Sequence, residues 1–173
     1  MYIKGGDITV VATNNDGLDA NGNLYIQGGY VRAFGAGSPE CGLDANEEQN
    51  YHVYFTGGTV LAVGGNNSVP NSSASTQPYV TGSNGATAGA TVTLASGSTV
   101  LATFTIPSNY GGSTGGSTPP NFPAAGGGGG GRPGGPGSSG GGGLLITCAG
   151  LTSGSSYTLT VGSTSSTVTA KQY

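Results

Sequence analysis

The sequence predicts an all-β protein: a short right-handed parallel β-helix of two to three coils, capped by a C-terminal antiparallel β-module resembling a meander or sandwich. Two observations favour the β-helix. The pentapeptide Gly-Leu-Asp-Ala-Asn at residues 17–21 returns unchanged at 42–46. Each copy is followed by two runs of alternating apolar and polar residues joined by a Gly-Gly pair, at 23–33 and 52–62. Such a repeat, with strand-like runs bent at glycines, is typical of stacked coils.

A third, incomplete copy opens the chain at 2–10, and an insertion at 47–50 lengthens one interval. The alternation within each run predicts which side chains point inward. We expect Gly28 and Gly57 to stack at the bend between runs. The predicted inward set is Ile3, Ile8, Val10, Leu18, Ala20, Leu24, Ile26, Val31, Ala33, Leu43, Ala45, Val53, Phe55, Val60 and Ala62.

We predict coils over 1–65, a Ser/Asn/Pro-rich connection over 66–89 and the β-module over 90–173. The module contains strand-like runs at 90–94, 98–105, 144–147, 157–161 and 166–169, with turn signals that suggest hairpins. A glycine-rich insertion at 111–143 interrupts it and is expected to be a flexible loop, because glycine buries nothing and has a high ordering entropy.

Composition restricts the function. Only 6% of residues are charged and the net charge is −3, so a phosphate-neutralising surface for nucleic acid is excluded. No apolar run approaches the ~20 residues needed to span a bilayer. Abundant Gly, Ser, Thr and Asn are typical of extracellular β-proteins, and we expect the export signal to lie outside this chain.

The phrases at 5–10, 16–29 and 57–64, with 99–107 and 151–159, resemble a bacterial extracellular family called carbohydrate-binding domain-containing proteins. Members combine tandem coils of this kind with a C-terminal module. The resemblance implies sugar binding and a secreted or cell-surface location, but supplies no individual site residues. The chain departs from the family pattern in its few coils and its long glycine-rich insertion.

Tyr2, Tyr25 and Tyr54 each lie three residues before a Gly-Gly pair, so stacked coils should align them in an outward ladder. With Gln27 and Thr56 beside them, they are candidate carbohydrate-binding residues, since aromatic rings stack on sugars and amides and hydroxyls orient them. The alternatives are that the tyrosines only stabilise the sheet, or that the C-terminal module covers them.

A second outward face carries Tyr30, Arg32, Phe34, Leu61 and Val63. This face is too apolar to be bare in water. We therefore predict that the C-terminal module, or a partner, docks on it.

Asp19 and Asp44 should lie one coil apart, which suits a shared Ca²⁺, a pair of glycosidase carboxylates, or corner aspartates bonded to backbone. No other cofactor is indicated. Catalysis would need further groups: His52 has no matched partner, and a lyase-type base would be Lys4 or Arg32.

Cys41 and Cys148 permit either one disulfide or two free thiols. A bridge would tie the coils to the C-terminal segment. Sequence alone leaves the two alternatives open.

These observations favour a non-catalytic extracellular module that binds polysaccharide. The alternative is a structural cell-surface, filament or adhesin protein that stacks upstream coils or other copies of itself on the edge at 2–11. A β-helix polysaccharide lyase or hydrolase is less favoured, because a charge-poor surface offers few acid–base groups.

Overall fold

A computed structural model describes residues 1–83, 85–111 and 143–173. Over these residues the protein is all-β, with parallel and antiparallel strand pairs and one 3-10 helix, Glu47–Gln49. The strands are β1 (Tyr2–Ile3), β2 (Asp7–Val11), β3 (Leu18–Ala20), β4 (Leu24–Phe34), β5 (Leu43–Ala45), β6 (Val53–Val63), β7 (Tyr79–Ser83), β8 (Thr91–Ser96), β9 (Thr99–Thr105), β10 (Gly143–Thr147), β11 (Ser156–Val161) and β12 (Thr164–Thr169).

The three copies of the sequence repeat pair with one another in parallel. β1 and β2 both pair with β4, and β4 pairs with β6. β3 and β5, which carry the pentapeptide, form a separate parallel pair in which each residue faces its own copy. Equivalent positions of the repeat therefore lie next to each other across the layers, except at the bend, where Gln27 and not the predicted Gly28 lies opposite Gly57.

Gly5-Gly6 separates β1 from β2, whereas the other two Gly-Gly pairs bend the chain without ending the strand. β4 and β6 each continue for 11 residues through the glycines, and their register shifts there. Gly29 and Gly58 have φ of +94° and +89°, a conformation that side chains rarely adopt. A side chain on Gly58 would also meet the Gly28 and Gly29 backbone. The predicted corner is thus a bulge inside one long strand.

Most of the predicted inward side chains form a hydrophobic core, here called the inner core. All are buried except Ile8, Val10 and Leu18, which are partly buried. The inner core comprises Ile3, Ala20, Leu24, Ile26, Val31, Ala33, Leu43, Ala45, Val53, Phe55, Val60, Ala62, Tyr79 and Leu145. The period-2 pattern thus identified most of this core correctly.

β10 and β7 cover the far side of β6 and were not predicted to do so. β10 pairs antiparallel with β6, from Thr147 opposite Val60 to Leu144 opposite Val63, and β7 pairs with β10. The stretch 66–89, predicted as a connection, therefore includes a strand. The run at 144–147, predicted in the C-terminal module, extends the first sheet instead. Its side chains are buried on both faces, which explains why this run shows no alternation.

The second sheet has the strand order β12-β11-β8-β9 and is antiparallel throughout, as the turn signals predicted. It packs on the predicted outward face: Phe34, Leu61 and Val63 lie fully buried among its apolar side chains in what we call the outer core. Tyr30 stacks on Phe104 with ring centroids 5.2 Å apart and donates its hydroxyl to the Thr103 carbonyl. The docking prediction is confirmed.

Most of the glycine-rich insertion predicted at 111–143 lies outside the described residues. Within the part of the chain that the structure describes, no helix is both long enough and apolar enough to cross a membrane.

The close contact between layers gives a test of the parallel stacking. A methyl group on Gly57 of β6 would overlap the Gln27 carbonyl of β4 in the neighbouring layer, whereas one on Gly22 would meet no atom within 4 Å. Gly57→Ala should therefore lower the free energy of unfolding by about 3 kcal/mol. This corresponds to a melting temperature lower by roughly 6–12 °C.

Gly22→Ala is the matched control and should change the melting temperature little. Thermal unfolding followed by far-ultraviolet circular dichroism measures both. Equal melting temperatures for the two variants would contradict the layer contact.

Candidate functional site

The three predicted ladder tyrosines lie on adjacent layers and stack. Tyr2 pairs in register with Tyr25, and Tyr25 with Tyr54. The ring centroids are 4.6 Å apart in the first pair and 4.9 Å in the second, with interplanar angles of 9° and 13°. The rings therefore form a continuous stack across the first sheet. We call Tyr2, Tyr25 and Tyr54 the tyrosine ladder.

Stacking decides which parts of these rings can touch a ligand. Tyr25 lies between two rings, so both of its faces are covered, and it is only partly exposed. Tyr2 is 63% exposed, and one of its faces has no ring against it in the ladder. Gln27 and Thr56 are exposed, one layer apart in the strands that carry Tyr25 and Tyr54. Tyr54, at the other end of the stack, is only partly exposed. The surface thus offers the exposed face of Tyr2, a row of ring edges and hydroxyls, and two polar side chains.

Asn23, which sequence reasoning missed, orients the middle of the ladder. Its side-chain carbonyl accepts a hydrogen bond of 2.8 Å from the backbone N–H of His52, which fixes the amide. Its amide nitrogen then donates to the Tyr25 hydroxyl at 3.1 Å. Because Tyr25 accepts in this bond, its own O–H proton can be donated to a ligand.

Side chains from the predicted connection continue the hydrogen bonding of the last layer. Asn67 Oδ1 accepts from the backbone N–H groups of Gly42 (2.8 Å) and Leu43 (3.0 Å). Ser68 Oγ accepts from Ala45 N–H at 3.1 Å, and buried Ser75 Oγ accepts from Phe55 N–H and donates to Phe55 C=O. These polar side chains take the place of a further strand and close that end of the layers.

A spacing in the sequence could have revealed one of these caps. Asn67 follows Gly42 by 25 residues, the interval that also separates Gly17 from Gly42 (42 − 17 = 25). The carboxylate of Asp16 accepts from Cys41 N–H across the preceding layer, likewise over 25 residues. The capping residue Asn67, which follows the last repeat, therefore lies at the same 25-residue spacing as the repeat itself.

The two aspartates predicted as calcium ligands or glycosidase carboxylates lie in register on β3 and β5. Asp44 accepts a hydrogen bond of 3.4 Å from the Ser68 hydroxyl. Over the described residues, no group of three or more His, Cys, Asp or Glu side chains is arranged to hold a metal ion. Since Ca²⁺ takes 6–8 oxygen ligands, Asp19 and Asp44 supply too few by themselves, and the calcium prediction gains no support.

Glu40 joins this acidic corner. Burial raises the pKa of its carboxyl, and a side-chain hydrogen bond with Asp16 and the negative charges of Asp16, Asp44 and Asp19 raise it further. The corner thus contains four carboxyl groups, and their mutual repulsion favours the protonated form of Glu40.

The other residues considered for catalysis are dispersed. Arg32 forms an ion pair with Asp7 and lies 4.8 Å from the centroid of the Tyr30 ring. Lys4 is exposed at the first glycine bend. His52 contacts the side chains of Asn50 and Asn71. The structure does not bring these three side chains together.

Cys41 and Cys148 are both free and both buried, so the disulfide alternative is not realised. Cys148 belongs to the outer core. The Cys41 thiol donates to the Leu43 carbonyl at 3.0 Å, at the acidic corner. Each thiol lies where a small apolar side chain fits, which is the usual role of a buried free cysteine.

Comparison with known proteins adds no assignment to this geometry. No protein-family model, curated protein or solved structure matches the chain.

Buried thiols and phenols predict a loss of stability in alkali. Burial raises the pKa of Cys41 and Cys148 above the ordinary 9.0, and of Tyr30 and Tyr79 above 10.0. The folded chain then retains protons that the unfolded chain releases. Their contribution to stability is therefore fully present below pH 9.0 and is lost as pH rises toward the folded pKa values.

Urea unfolding at a series of pH values from neutral to alkaline measures this loss. Replacing both cysteines by Ala should reduce the slope of stability against pH just above 9.0, while the tyrosine contribution above 10.0 persists. A stability that stays constant through this range would contradict the assignment.

Proposed function

We propose that this chain is a non-catalytic, extracellular carbohydrate-binding protein whose site is the tyrosine ladder with Gln27 and Thr56. The supporting observation is the ladder itself: three stacked phenols on one surface, flanked by an exposed amide and an exposed hydroxyl. Aromatic faces with a few oriented polar groups are the usual composition of sugar sites.

Two kinds of group make the proposed contacts with a glycan: an aromatic ring face, and hydroxyl and amide groups. The free face of Tyr2 packs against the apolar face of a sugar ring. Hydroxyls of Tyr25 and Tyr54 and the Gln27 amide hydrogen-bond to sugar hydroxyls along the ladder. Because these groups repeat at the layer spacing of about 4.8 Å, several units of one polysaccharide are contacted together. Affinity then comes from many weak contacts to one polymer.

The exposed edges explain why a polymer is preferred over a single sugar. The face of Tyr2 is the most exposed ring face of the ladder, and a monosaccharide stacked on it gains a single contact, worth about 0.5–1.5 kcal/mol. A longer glycan adds hydrogen bonds of about 0.5–1.5 kcal/mol each. The low charge of the chain suits neutral glycans better than anionic ones.

We further propose that the parallel layers are two to three coils of a right-handed parallel β-helix. The in-register pairing of three like repeats, each with an inward apolar set, supports this finer description. The resemblance to bacterial extracellular carbohydrate-binding domain-containing proteins supports the same fold and a secreted or cell-surface location.

Tyr2→Ala should weaken binding to a retained polysaccharide by roughly two- to tenfold, because the most exposed ring face of the ladder is lost. The measurement is affinity electrophoresis or calorimetry against a panel of neutral polysaccharides, with an assay for released reducing ends. Retention without release is expected.

Tyr173→Ala is the matched control, because Tyr173 is 62% exposed, close to the 63% of Tyr2, but lies outside the ladder. If both substitutions weaken binding equally, the tyrosine ladder is not the binding site. If no glycan binds, the proposed function is wrong. If reducing ends are released from a polysaccharide, the chain is an enzyme and not a non-catalytic binding protein.

A second candidate function is structural assembly at a cell surface or in a filament. It is favoured by β1 and β2, which pair only with β4 among the described strands. Their other side can accept a further layer, supplied by upstream coils or by another copy. Assemblies that grow steadily with concentration would favour this candidate.

A further inference from the structure

The edge formed by β1 and β2 exposes backbone groups in a regular pattern. Met1 C=O accepts from Tyr25 N–H at 3.0 Å, and Gly6 C=O accepts from Tyr30 N–H at 2.8 Å. In a parallel ladder, alternate residues then direct their own N–H and C=O groups away from the neighbouring strand. On β1 and β2 these residues include Tyr2, Asp7 and Thr9, so the edge offers donors and acceptors to another strand.

The residues of this edge can pair with the same residues of a second copy that runs in the opposite direction. When two copies run antiparallel about a two-fold axis between Gly5 and Gly6, residues whose numbers sum to 11 face each other. Ile3 then faces Ile8, Lys4 faces Asp7, and Tyr2 faces Thr9, each pair occurring twice. Apolar residues meet apolar residues and opposite charges meet, as stable cross-strand pairs require.

Two features of the structure also agree with this pairing: the direction of the side chains and the direction of the backbone groups. Ile3 and Ile8 both belong to the inner core or pack against it, whereas the side chains of Tyr2, Lys4, Asp7 and Thr9 are exposed. Inward residues therefore meet inward residues. In an antiparallel pair, opposite residues either exchange both backbone bonds or exchange none. Tyr2 and Thr9 both direct their backbone groups outward, so they satisfy the bonded case.

The bend between β1 and β2 is compatible with this symmetry. A two-fold axis through the bend superposes β1 of one copy on β2 of the other, so both arms pair at once. A side chain on Gly5 would meet no atom within 4 Å, which indicates open space beside the bend. The Asp7 side chain is 70% exposed beside Arg32 and can accept a second cation.

We propose that a second copy of this chain docks on the β1–β2 edge, giving a closed, two-fold symmetric dimer with continuous sheets across the interface. Charge complementarity identifies the occupant, since Lys4 and Asp7 of each copy form two ion pairs with their counterparts. The other end of the layers is covered by β10 and the Asn67, Ser68 and Ser75 caps. The assembly therefore stops at two chains.

Charge variants test the interface. Lys4→Glu and Asp7→Lys each place like charges opposite one another and should each raise the dimer dissociation constant about tenfold or more. An equimolar mixture of the two variants restores opposite charges at both pairs, so heterodimers should form. Sedimentation velocity of the 173-residue chain, without carbohydrate, measures all three samples up to about 1 mM.

A backbone variant and hydrogen exchange give independent readouts. Thr9→Pro removes an N–H that only the second copy uses, so it should abolish dimerisation and leave the monomer melting temperature within a few degrees. In the original chain, the amides of Tyr2 and Thr9 should gain protection as concentration rises. The Ile8 and Val10 amides, already bonded to β4, should not change.

The dimer proposal does not rest on carbohydrate binding, so the result of the dimer experiments does not decide whether the chain binds glycans. A chain that is monomeric at every concentration overturns it, as does a mixture of the two charge variants that fails to dimerise. A series of species larger than two also overturns it and supports filament assembly instead. A salt-sensitive dimer restored by mixing confirms it.

Discussion

The rest of the structure depends on the in-register pairing of similar repeats in parallel. Each layer places its residues beside their own copies, so Leu18 lies by Leu43 and Tyr25 by Tyr54. The layers can approach this closely at the bend only where glycine removes the side chain, as at Gly57 beside the Gln27 carbonyl. Once this spacing is set, the inner core, the ladder and the open edge all follow from the same register.

The periodic part of the fold could be read from the sequence because the physical cause is itself periodic. Alternation predicted the inward set, and the apolar outward face at Phe34, Leu61 and Val63 predicted docking of the second sheet. The position of β10 could not be predicted in this way. Its side chains are buried on both faces, so its sequence carries no alternation and no register with β6. Long-range antiparallel pairing of this kind leaves no local signal.

The candidate site was also predicted from the sequence only in part. The repeat aligned the three tyrosines correctly, but it did not indicate that stacking would cover the faces of Tyr25. Nor did it reveal Asn23, whose amide is fixed by His52 N–H and orients the Tyr25 hydroxyl. Polar side chains act here through backbone groups one layer away. Such contacts become visible only when the spacing between layers is known.

The two ends of the layers satisfy their backbone groups in different ways, and this asymmetry determines how the molecule can associate. At one end, β10 bonds to β6 while Asn67, Ser68 and Ser75 bond to β5 and β6, so few donors or acceptors remain there for another strand. At the other end, β1 and β2 pair with no strand besides β4 among the described residues. An open edge on a stable sheet favours association, since another strand satisfies its hydrogen bonds at little conformational cost. The exposed face of Tyr2 lies at this same end, so strand pairing and sugar stacking would both use it. A chain paired through β1 and β2 would therefore bind glycan mainly through the ring edges and hydroxyls of the ladder, whereas the single chain would add the Tyr2 face.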